Sequence, residues 1–127
     1  MVLRYTTPSL RRVRFVMFVV DRDRGASPTD SPGTASRDEI AAIDEFNASL
    51  RAGGHLVMAV GLGAPRTATL VDNRDGRGIA RAGSLFDGAE HYSGMWIIDA
   101  DSREQAEAFA RQGSHACNRA VELRPFL

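Results

Sequence analysis

Asp87 and His91 are the two side chains of this sequence best spaced for proton transfer. They stand four residues apart, so they share a face if residues 86–92 make a helical turn. A carboxylate beside an imidazole raises its proton affinity and can orient it as a general base. The bland alternative is a solvated loop carrying two unrelated side chains. His55 and His115 are the other histidines. No two of the three stand at a His-x-His or His-x3-His spacing, so no metal site is expected. His55 follows Gly53-Gly54 at the start of a strand. It is either a hydrogen-bonded structural histidine or part of a pocket wall. His115 lies in a polar connection and reads as exposed. Cys117 is the single cysteine, which excludes an intrachain disulfide, and with no base beside it the thiol reads as a bystander. Trp96 and Met58 lie on strands. As core they need no explanation; as pocket walls, with His55, they are the candidate contacts for an aromatic or polycyclic substrate. The chain contains no lysine, so Schiff-base chemistry is excluded. Gly61-Leu62-Gly63 lacks the third glycine and helix of a dinucleotide fingerprint, and there is no phosphate loop or nucleophile elbow, so no organic cofactor is expected.

These residues need elements to position them. Arg14 to Val20 is apolar on both alternating faces and reads as a central strand. Residues 21–35 are charged, then rich in Gly, Ser, Pro and Thr, and read as a long mobile loop. Ser36-Arg37-Asp38-Glu39 is a capping box. Ile40, Ile43, Phe46 and Leu50 follow at helical spacing, and Gly53-Gly54 ends that helix. His55 to Gly61 is a strand. Thr67 to Asp72 and Arg77 to Ala82 make a hairpin around Asn73-Arg74-Asp75-Gly76. Tyr92 to Asp99 is a buried strand. Asp101 to Gln105 starts a second helix with two overlapping capping signals, and Gly113 is expected to stop it. Arg119 to Arg124 is the last strand, ended by Pro125. Residues 1–13 read as a flexible arm and 14–127 as one domain.

The β-α-β-β-α-β order predicts an α+β, ferredoxin-like antiparallel sheet with two helices on one face. Two helices cover only half of the sheet's apolar surface. The uncovered face predicts a homodimer in which two sheets pack together. A chain of 127 residues has room for one sizeable core, and its formal net charge is zero. No field of one sign favours nucleic acid or a membrane surface. The apolar run from Val13 to Val20 is too short to span a bilayer and has no small-residue cleavage site beyond it, so a cytoplasmic location is expected.

Several segments, in the right order, resemble the YCII-related (DGPF-domain) family. Phe46-Asn47-Ala48-Ser49-Leu50-Arg51-Ala52-Gly53 looks like that family's first-helix end. Gly61-Leu62 resembles its Glu-Gly-Leu turn, and Gly94-Met95-Trp96-Ile97-Ile98 its Gly-aromatic-aromatic-Ile-Ile strand. Val121-Glu122-Leu123-Arg124-Pro125 resembles its Val-Glu-Val-Arg-Pro ending. The resemblance covers about residues 14–126 and implies a dimeric α+β barrel. The family motif itself, Asp-Gly-Pro-Phe, is matched by Ala82-Gly83-Ser84-Leu85, and the glutamate before Gly-Leu by Val60. Carboxylate chemistry at those two positions therefore does not carry over, and any pocket there is more apolar. One activity in the wider family is dehydrochlorination of a hydroxylated aromatic.

The expectation is a small dimer that binds or acts on an apolar or aromatic molecule in an internal pocket. His91 would transfer the proton and Asp87 orient it, in cofactor-independent, lyase-like chemistry. A cofactor-independent oxygenase or isomerase of the dimeric α+β barrel type is the alternative enzyme. A non-catalytic module for ligand sensing or partner binding is the alternative outside catalysis.

Overall fold

The apolar run near the N-terminus forms the strand β1 (Val13–Arg22), and every other element of the main sheet is placed by reference to it. A computed structural model describes residues 11–22, 35–85 and 88–127. The expected mobility of 1–10 and 23–34, and the whole of the Asp87 assignment, lie outside those residues. The chain continues as α1 (Arg37–Ala52), β2 (Leu56–Gly61), β3 (Thr69–Asp72), β4 (Ile79–Ala82), β5 (Glu90–Ala100), α2 (Arg103–Cys117) and β6 (Ala120–Pro125).

Four strands make one antiparallel sheet in the order β2-β5-β1-β6. With both helices on one face this is the ferredoxin-like arrangement expected from the element order. The pair β3-β4 is a separate two-stranded ribbon inserted between β2 and β5. Its turn is longer than the four residues expected. Asp75 adopts a left-handed φ of 54°, and Asn73 Oδ1 accepts from Gly78 N at 2.9 Å, which delays pairing until Ile79.

One sheet face meets the helices. Phe15, Met17 and Val19 of β1 and Trp96, Ile98 and Ala100 of β5 pack there against Phe46 and Leu50 of α1 and Ala106, Ala116 and Cys117 of α2. Alternation sends Val16, Phe18, Val20, Met95 and Ile97 to the other face, where none of the described residues forms a helix and each is only half-buried. Helix α1 begins as expected: Ser36 Oγ accepts from Glu39 N at 3.1 Å, and Ser36 N donates to Glu39 Oε1 at 2.9 Å. Of its expected apolar stripe, Ile40 remains 49% exposed.

Helix α2 departs from expectation at its end. It runs through Gly113 to Cys117 and stops at Asn118, which takes the left-handed conformation with φ 53°. Gly113 is a packing residue instead of a terminator. A Cβ there would lie 3.1 Å from Phe46 Cε2 and 3.4 Å from Met17 Cε, so the hydrogen lets α2 lie close on the core. Arg12, at the edge of the N-terminal arm, is tied down. Its Nη1 donates to Gly54 O at 2.8 Å and its Nε to Asp101 Oδ1 at 3.0 Å, which ties it to the turn after α1 and to the residues before α2.

Candidate functional site

His91 lies near the start of β5, half-buried, and faces Asp21 across the antiparallel ladder. That pairing depends on a bulge. Val19 pairs with Gly94 and Val20 with Tyr92, so Ser93 is an extra residue on β5. Asp21 is fixed at both oxygens. Oδ1 accepts from Arg22 N at 2.8 Å, and Oδ2 lies 3.1 Å from Arg119 Nε. Arg119 precedes β6, and its Nη1 lies 3.7 Å from Glu39 Oε2 in the first turn of α1. The three side chains are only 13–21% exposed. The backbone of Arg119 is held as well, since Ser114 Oγ donates to its carbonyl at 2.6 Å. Two strands, a helix start and a helix end thus meet at one corner of the sheet, with His91 beside them.

The other expected site residues are spread widely. His55 Nδ1 donates to Asp99 O at 2.8 Å, and its ring centroid lies 4.8 Å from that of Phe109. Asp99 is eight residues from His91 along β5, roughly 27 Å at strand rise, so one small molecule cannot touch both histidines. Trp96 is core. Its Nε1 donates to Asn47 Oδ1 at 2.6 Å, and its ring meets Phe46 edge-on at 5.3 Å. Met58 lies on the opposite, open side of the sheet, 48% exposed. His115 is exposed and borders a shallow surface groove with Arg111, Ser114 and Asn118. Cys117 is buried, and that burial pushes its thiol pKa up, away from nucleophilic chemistry.

The open face carries a second polar group of side chains. Tyr92 OH donates to Glu122 Oε2 at 2.8 Å, and Arg124 donates from Nε to the same oxygen at 2.6 Å and from Nη2 to Tyr92 OH at 3.1 Å. The hydrogen bond to Glu122 raises the Tyr92 pKa, and the same bond together with that from Arg124 lowers that of Glu122. Beneath them Phe18 stacks on Tyr92 at 4.4 Å. At the other end of that face Arg14 grips Asp99 with Nε at 2.8 Å and Nη2 at 3.0 Å, holding the Asp99 carboxyl below its ordinary range.

The sequence pattern singles out His91 but not its neighbours Asp21, Glu39 and Arg119. No local spacing links residues 21, 39, 91 and 119; only strand register brings them together. Among the described residues no group of His, Cys, Asp or Glu is placed to hold a metal ion, and no helix is long and apolar enough to cross a membrane. No curated protein matches the chain. The family model for the YCII-related domain matches residues 13–126. That match runs from the first residue of β1 to the end of β6, includes every element of the sheet and both helices, and so the chain belongs to the YCII-related domain family.

Proposed function

We propose that this YCII-related domain works as a homodimer that binds a small, largely apolar or aromatic molecule and moves a proton on it through His91. The observation that carries the proposal is the state of the three histidines. His55 is committed to the Asp99 carbonyl and His115 is on the surface. His91 is half-buried, and its ring makes no hydrogen bond or ion pair among the described residues. An imidazole exchanges protons near neutral pH, so an uncommitted, partly sheltered one is the natural proton-transfer group. The flanking residues Glu90 and Tyr92 belong to the same strand start. The open sheet face supports the dimer, since Val16, Phe18, Met95, Ile97, Met58 and Val60 form an apolar surface that no helix of the described residues covers.

A second reading, a non-catalytic ligand-sensing module, draws support from Val60 and Ala82. Both are exposed, apolar side chains where the family resemblance places carboxylates. The experiment that separates the two uses His91→Gln, which keeps hydrogen-bonding capacity but cannot act as a base near neutral pH. A ligand that co-purifies with the parent protein is identified by mass spectrometry and its conversion followed at equal occupancy. His91→Gln should still bind it and lose conversion by at least about a hundredfold, the usual scale of general acid–base catalysis. Conversion by the variant at the parent rate contradicts the assignment; binding by both with no conversion by either favours the sensing module.

A further inference from the structure

We infer that the β3-β4 ribbon is an arm that packs on the open sheet face of a second copy of this chain, a contact that rests on the homodimer proposed above. The two sides of the ribbon differ. Register sets Thr69 opposite Ala82 and Val71 opposite Ala80, and residues directly opposite project to the same side. That side is uncharged and exposed at all four positions, with Val71 66% exposed. The other side carries Leu70, Asp72, Ile79 and Arg81. Its carboxylate braces the turn, since Asp72 accepts from Arg74 Nε at 2.9 Å and Nη2 at 2.7 Å. One charged side and one uncharged side is the pattern of antiparallel strands with one face in water and the other packed. A two-stranded ribbon alone is marginally stable in water. Among the described residues, however, neither strand has extensive contact with the main sheet or with a helix. The uncharged side therefore needs a cover from outside this part of the chain.

Area and position point to a second copy as that cover. The edge strands β2 and β6 are each six residues long. At ordinary strand spacing and rise, a four-stranded face of that length measures roughly 20 by 20 Å, about 400 Å2. A stable interface covers about 800 Å2 on each partner, so the sheet face alone falls short of what the dimer needs. The ribbon supplies uncharged surface at the rim of that same face. It leaves the main sheet after β2 and returns before β5, and these strands are neighbours, with Val60 opposite Met95 and Gly61 opposite Gly94. Leu62 N donates to Ser93 O at 2.9 Å and holds the two ends together. Met95 and the 43% exposed Val60 belong to the open face, so face and ribbon are adjoining surfaces. The small side chains of Thr69, Ala80 and Ala82 around Val71 make the arm flat, as packing on another sheet requires. A two-fold axis treats both arms alike: each copy gives one ribbon and receives one.

The test is sedimentation equilibrium of the full chain, compared with Val71→Asp on the uncharged side of the ribbon and Arg81→Ala on the other. Val71→Asp puts a carboxylate into the apolar contact and should raise the dimer dissociation constant at least about tenfold. Arg81→Ala should leave it within about twofold of the parent. An unchanged constant in Val71→Asp, or an equal loss in both variants, overturns the inference. If Val71→Asp does not fold, the parent answers alone. In dimers mixed from isotope-labelled and unlabelled chains, the Val71 methyls should show intermolecular NOEs to Met58, Met95 or Ile97 of the other copy. Their absence from a dimeric parent overturns the inference equally. The two readings fail separately: a parent that is monomeric at about 10 μM sinks the dimer and the arm contact together, whereas a dimer indifferent to Val71→Asp sinks the arm contact and leaves the dimer standing.

Discussion

Among single residues, Asp99 has the most clearly defined electrostatic role. It accepts two hydrogen bonds from Arg14, and its backbone carbonyl accepts from His55, so one residue ties β1 and the start of β2 to β5. Its pKa is depressed in the folded chain, chiefly by the Arg14 hydrogen bond and against the opposing effect of burial. A carboxylate with a lowered folded pKa stabilises the fold above its unfolded value of about 3.9. That contribution falls away as the pH drops from there through the folded value. Chemical denaturation of the parent and Asp99→Asn should therefore show a gap in midpoint at pH 7 that closes as the pH falls below about 4. A gap that persists unchanged to the acid side would assign the difference to packing or to the neutral hydrogen bonds instead.

At the scale of elements, helix α1 joins the two kinds of interaction that hold this fold. Its start is local: the capping box at Ser36 satisfies backbone groups that no tertiary contact reaches. Its middle is tertiary: Phe46 is buried between Trp96 and the bare backbone of Gly113. Ser36→Ala should cost about 1 kcal/mol and Phe46→Ala about 3–5 kcal/mol, measured by urea denaturation; a milder effect at Phe46 would place the core elsewhere. The capping box and the apolar strands were legible in the sequence because caps and alternation act over a few residues. Gly113 resembles a stop in the sequence because it stands near a helix end, and only the neighbouring Phe46 and Met17 show that it is a contact. Trp96 was legible as core or pocket but not decidable, since its partner Asn47 lies 49 positions away. The corner of Asp21, Glu39, His91 and Arg119 was hidden for the same reason, compounded by a bulge at Ser93 that shifts register by one residue. Such a shift exchanges the two faces of a strand, and no local pattern announces it.

At the scale of the molecule, the sheet is asymmetric. One face is sealed by two helices, whereas the other presents Met58 and Val60, both more than 40% exposed, beside half-buried Met95 and Ile97. An apolar surface of this kind is what the proposed dimer would bury. Its polar borders, Arg14 with Asp99 and Tyr92 with Glu122 and Arg124, suit a partner that must dock in one orientation. A second copy of the same face satisfies that need with closed two-fold symmetry. The most direct measurement is native mass spectrometry of the purified protein at about 10 μM, well above the dissociation constant of a nanomolar dimer. The proposed dimer gives a species of twice the 13.8 kDa chain mass that carries a small organic molecule and releases it on unfolding. A bare 13.8 kDa chain at that concentration would contradict it.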